Sequence, residues 1–220
     1  MRKIKEPDTE PFFKSVDDFL EGKTIEELIM DRFIPYYGLT EQEIISRLKI
    51  EPPLGKNRSY FIAKSILGLK RPKIEEFEKA DILFKTIRLE NTGTPKRSIQ
   101  FSQIQFKEIV NEIWEESIWY YTLTHRYFFV IFQKNNRKEL VLRKVMFWTT
   151  PYKDLKIAEK FWKDTRKKIQ NDDYMHFIKA SNNMVCHVGN VPGLMKTPSG
   201  KLEKKKCYCL NASYLKQIIN

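Results

Sequence analysis

The chain has 220 residues, 41% of them apolar, enough for one well-buried domain. Lys and Arg number 40 against 28 Asp and Glu, a formal charge of +12 that points to a polyanionic partner. No apolar run reaches the roughly 20 residues of a membrane helix, the start Met1-Arg2-Lys3-Ile4-Lys5-Glu6 lacks an apolar signal core, and an odd set of three cysteines fits a reducing, cytoplasmic compartment better than a disulfide framework.

Residues 1–23 are mixed and charged, with Pro7 and Pro11, and read as a linker or loose N-terminal arm before a domain over 24–220. Ile25, Leu28, Ile29, Phe33 and Ile34 recur at helical spacing, and Pro35 should stop that helix. Thr40 with Glu43 three residues on is a capping-box pattern for a second helix. Asn57 or Ser59 opens a third, which Gly68 ends. Ala80 to Leu89 and Ser98 to Gln105 read as strands, expected to pair across the turn Asn91-Thr92-Gly93-Thr94-Pro95. Phe106 to Ile113 reads as a short helix. Tyr127 to Gln133 is a continuous apolar and aromatic run of strand length, so a central strand buried on both faces. Asn135-Asn136 turns into a strand over Leu140 to Trp148. Pro151 opens a helix to about Gln170. Strands at Val185 to Val188 and Lys206 to Leu210, joined by an irregular stretch, and a helix from Asn211 complete an α/β chain.

Several stretches carry a family resemblance. Leu83-Phe84-Lys85 through Pro95, Leu54-Gly55-Lys56-Asn57-Arg58-Ser59-Tyr60, Val185-Cys186-His187-Val188 and Lys206-Cys207-Tyr208-Cys209-Leu210-Asn211 resemble segments of the MutH-type GATC endonucleases. Ile74 to Lys79, Phe84-Lys85-Thr86 and Phe106 to Glu115 are similar to the C-terminal, non-cutting MutH-like domain of the Sau-three-AI kind of type II restriction endonuclease, from about Thr24 to the end. The resemblance implies a restriction-endonuclease-like (MutH-like) fold, a mixed central sheet flanked by helices.

The same resemblance implies a damaged active site. Nucleases of this type place an acid two residues before a lysine, so that both point at one phosphate from one strand face; the acid holds Mg²⁺ and the lysine orients water. Lys85 stands in the lysine's place and Leu83 in the acid's. The family's helix acid falls near Ser65 or Ile66. Its remaining acid falls on Glu76, and Asp81 is a rescue candidate on the strand. Glu76, Asp81 and Lys85 therefore form a degenerate remnant, with no metal expected for this domain and Mg²⁺ only under a nuclease reading.

Duplex DNA contacts are expected elsewhere. Lys56, Asn57 and Arg58 sit at a helix start, where N–H groups and cations suit a phosphate; the alternative is a solvated cap. Lys96 and Arg97 follow the turn that faces DNA in the family, or form an ordinary charged tip. Between Gly189 and Lys206 the family reads bases in the major groove. Its arginine after "H-V" is Gly189 here, leaving Asn190, Lys196 and Thr197 as replacements. Cys207 and Cys209 read as buried thiols rather than zinc ligands. His125 and His176 lack partners at motif spacing. Trp114, Trp119, Tyr120 and Tyr121 read as core in preference to a base-stacking set.

These readings converge on a domain that binds duplex DNA at GATC without cutting, beside a catalytic MutH-like domain of the same enzyme. A Mg²⁺-dependent nuclease or nickase, and a protein-docking domain without DNA contact, are the alternatives.

Overall fold

The computed structural model describes residues 8–13, 22–71 and 73–220. In chain order the described elements are strand β1 (Thr9–Glu10), helices α1 (Ile25–Asp31), α2 (Glu41–Leu48) and α3 (Arg58–Ile66), strand β2 (Lys73–Ile74) and helix α4 (Glu75–Lys79). Strands β3 (Ile82–Leu89) and β4 (Ile99–Gln103), helices α5 (Phe106–Ile109) and α6 (Ile118–Thr124), and strands β5 (Arg126–Lys134) and β6 (Leu140–Thr149) follow. Helix α7 (Tyr152–Gln170), strands β7 (Cys186–Lys196) and β8 (Leu202–Leu210), and helix α8 (Ala212–Ile219) end the chain. The strands form three sheets, in orders β1-β2, β3-β5-β6 and β4-β8-β7. The contacts divide the chain into two compact units, residues 1–92 with 126–148, and residues 93–125 with 149–220.

The first unit is built on β5. Tyr127 to Phe132 are wholly buried, which a strand achieves only when both its faces are covered. β3 lies parallel to it, with Leu83 opposite Tyr127 and Lys85 opposite Phe129. The expected hairpin between β3 and the next strand does not form. β3 takes β5 and β4 takes β8, because the apolar central strands bury more surface than a local turn would. Helix α2 starts as its capping box requires: Glu43 N–H donates to the Thr40 hydroxyl at 3.2 Å, and Thr40 N–H donates to the Glu43 carboxylate at 2.7 Å. Such a cap contributes about 1 kcal/mol. Thr24 and Glu27 repeat the device at α1.

Part of the expected loose arm is docked. β1 pairs parallel with β2, Phe12 is buried, and the Glu10 carboxylate accepts N–H bonds from Lys70 and Arg71. The strand pairing, the buried ring and the Glu10 carboxylate together outweigh the entropy of a short segment. Residues 1–7 and 14–21, the rest of that arm, lie outside the described residues.

The second unit packs α7 on an antiparallel sheet. Ala158, Phe161, Trp162, Thr165 and Ile169 form the helix's buried side. Trp119 stacks on Tyr208 with centroids 4.8 Å apart, and Trp114 meets Trp162 at 5.8 Å. Trp114 and Trp119 are thus core, while Tyr121 is exposed. The stretch expected to be irregular is a long ribbon: β7 and β8 pair from Cys186 with Leu210 out to Lys196 with Leu202, interrupted between Asn190 and Leu194.

Candidate nucleic-acid interface

The remnant active site comes from β3 and the elements before it. Leu83, Lys85 and Ile87 alternate onto one face, in register with Tyr127, Phe129 and Ile131 of β5. Tyr127 and Phe129 stack at 5.4 Å, and Trp148 meets Phe129 at 5.7 Å. This aromatic bed takes water from Lys85, and burial pushes its ammonium below the ordinary lysine range. Phe84 points the other way, against Tyr60 at 4.9 Å and Phe128 at 5.5 Å.

Glu76, on α4, accepts from the N–H of Phe12 at 3.0 and 2.8 Å and from the N–H of Phe13 at 3.1 Å. Its oxygens are spent on holding the N-terminal segment. Asp81 precedes β3 in a left-handed conformation, φ +54°, and is exposed. That turn breaks the strand alternation by which the sequence put it on the face of Lys85. On α3, Ser65 bonds back to the Phe61 carbonyl at 2.9 Å and Ile66 is buried. Among the described residues no group of three or more His, Cys, Asp or Glu side chains stands together as a metal would require.

At the start of α3, Lys56 and Asn57 are exposed, and Asn57 makes no side-chain cap. Arg58 is committed inward: Nε donates to Glu41 at 3.3 Å and a terminal nitrogen donates to Gln42 at 3.3 Å. Ser59 is fully buried and its hydroxyl donates to Glu41 in a short bond. Arg88 then donates to Ser59 at 2.9 Å and to the Lys56 carbonyl at 3.3 Å. Arg58 and Ser59 bond the Glu41 carboxylate directly and Arg88 joins through Ser59, a network that fixes the loop at residue 56 to β3. Arg88 had no role in the sequence reading. Its strand position shows which face it takes, but not that the Ser59 hydroxyl and the Lys56 carbonyl wait there.

In the second unit, Lys96 and Arg97 are exposed ahead of β4. Asn190 is exposed on the ribbon and accepts from Lys206 Nζ at 2.8 Å. Lys196 is exposed at the end of β7. Thr197 is fully buried in the turn, 3.0 Å from the Ser199 hydroxyl, and its N–H donates to the Lys201 carbonyl at 2.8 Å. A side chain so enclosed shapes the ribbon end. Behind the ribbon, Gly189 faces Cys207 and His187 faces Cys209. All three cysteines are free and buried, and Cys207 and Cys209 hold their sulfurs 3.6 Å apart. Burial pushes the Cys209 thiol up, with Cys207 adding to it. A Cβ on Gly189 would stand 2.5 Å from Cys209 Sγ and 3.0 Å from Cys207 Sγ. A side chain at this position would force the Cys209 sulfur to shift.

No helix among the described residues is long and apolar enough to cross a membrane. No family model matches the chain. The type II restriction enzyme Sau3AI of Staphylococcus aureus is 25% identical to it over 201 residues, covering 77% of this chain and 41% of that enzyme. The chain therefore spans well under half the length of its relative. The fold is a restriction-endonuclease-like mixed α/β fold, and the chain is homologous to the Sau3AI type II restriction enzyme.

Proposed function

We propose that this chain binds duplex DNA, at GATC, without cutting it, as the effector-site domain of a type II restriction endonuclease in the cytoplasm. Its partner within the enzyme is a catalytic MutH-like domain. The observation that carries the reading is the state of the β3 strand in a homologue of a restriction enzyme: Lys85 is kept, Leu83 replaces the acid, and Glu76 is bound to backbone amides. What survives is a basic scaffold with a formal charge of +12. A module that binds but does not cut acts by holding a second DNA segment, which raises the local concentration of DNA at the catalytic domain. Binding of this kind needs no metal; Mg²⁺ belongs to the nuclease alternative.

The test is fluorescence anisotropy with a labelled GATC duplex and a scrambled one at about 50 mM salt, without metal. Binding that favours GATC supports the reading. Absence of binding to either duplex overturns it in favour of a protein-docking domain.

A further inference from the structure

We infer that an open cleft on the β4-β8-β7 sheet reads base edges, and that Arg97, Gln100 and His187 carry the sequence preference. The inference rests on the DNA reading above. The cleft has a volume of about 390 Å³ and is lined by Arg97, Ser98, Gln100, His187 and Cys209. It is a built row rather than a chance dent: Gln100 pairs with Cys209 and Cys209 with His187, so three strands present these side chains on one face.

The hydrogen-bond roles around the cleft follow from its neighbours. Asn211 is buried, and its Nδ2 donates to the carbonyls of Asn183 at 2.6 Å and Ala180 at 3.4 Å. Its Oδ1 is then an acceptor, so His187 Nδ1, 2.5 Å away, must be the donor. In the tautomer that carries its proton on Nδ1, Nε2 is the acceptor. The lining thus offers donors from Arg97, a donor and an acceptor from Gln100, and an acceptor from His187. A phosphate presents oxygen lone pairs alone and would use only the donors of Arg97 and the Gln100 amide, leaving His187 Nε2 without a partner. Base edges present both kinds of group. Guanine O6 and N7 match the arginine fork, adenine N6 and N7 match the glutamine amide, and cytosine N4 donates to an acceptor such as His187. Gly189 completes the case. With two sulfurs filling the space beside its Cα, that position has no side chain to reach DNA, and the cleft that borders the Cys209 sulfur is left to do the reading.

The experiment uses Arg97→Ala and Gln100→Ala, both at exposed positions, in the full chain, with folding checked by circular dichroism. Each should weaken the GATC duplex by roughly 5- to 100-fold and the scrambled duplex by less than about 3-fold. Duplexes carrying 7-deazaguanine or 7-deazaadenine in GATC lack N7. The wild-type chain should lose affinity for them, and Arg97→Ala should no longer distinguish 7-deazaguanine from guanine. Equal losses on both duplexes would place these side chains on the backbone and overturn the inference. An unchanged GATC preference in the variants, or a wild-type chain that holds both duplexes alike, would also overturn it while DNA binding stood. A wild-type chain that binds neither duplex removes the DNA reading and this inference with it.

Discussion

The Phe12 N–H donates to both carboxylate oxygens of Glu76, at 3.0 and 2.8 Å. The residue best placed by sequence to hold a metal is thereby a structural anchor for a segment that the sequence left loose. Glu76→Ala should cost about 1.5–3 kcal/mol, the range for hydrogen bonds to a charged group, and expose residues 8–13 to protease. Urea denaturation with limited proteolysis reads both. Unchanged stability and protection would mean that β1 and the Phe12 side chain hold the segment without Glu76.

Gly189 and Cys209 form a second steric pair. Gly189→Ala should destabilise the chain by about 1–3 kcal/mol through overpacking. Gly189→Arg, which restores the family's residue, should be at least as damaging and should not improve GATC binding. Cys209→Ala removes the nearest atom, so the double variant should be more stable than the sum of the single effects predicts. Additive urea midpoints would show that the sulfur is not the obstacle.

Lys85 gives a pH signature. Burial lowers its folded-state value from 10.5, so between the two values the unfolded chain binds more protons and stability rises with pH. Below that window both states hold the proton and the cost of the buried charge is fully present. Lys85→Met should therefore be more stable than wild type at neutral pH, by about 0.5–1 kcal/mol because water still screens a half-buried group. The gain should shrink as pH rises toward the ordinary lysine value. A destabilised Lys85→Met chain would show that the ammonium makes a net favourable contact.

The chain should leave supercoiled GATC plasmid intact in Mg²⁺ or Mn²⁺, and neither ion should raise its melting temperature. Leu83→Glu alone should not create cutting, since Glu76 is engaged and Ser65 and Ile66 supply no acid. Metal-dependent cleavage that disappears in Lys85→Ala would restore the nuclease reading.

Binding should weaken steeply with salt. If roughly six phosphates are neutralised, log K falls against log salt with a slope of about −5. Lys56→Ala and Lys96→Ala, at exposed cations, should each lower that slope by about 1 on any sequence. Arg58→Ala should instead cost stability, because its guanidinium serves Glu41. Equal salt slopes for Lys56→Ala, Lys96→Ala and wild type would put those cations off the DNA path.

Local chemistry was legible in the sequence wherever it depends on neighbours in the chain. The Thr40–Glu43 cap, the Pro151 start of α7, the doubly buried run of β5 and the leucine at 83 all follow from residues a few positions apart. Strand partners were not legible, because alternation says which face a residue takes and nothing about which strand lies beside it. Hence β3 sits on β5 and β4 on β8, against the expected hairpin. The same limit applies to the site. Only the tertiary structure puts Gln100 and His187 in one row, turns Glu76 onto the Phe12 amide, buries Thr197 and sets two sulfurs against Gly189. Each of these is a contact between distant segments, whose formation depends on how the whole chain excludes water and fills its core.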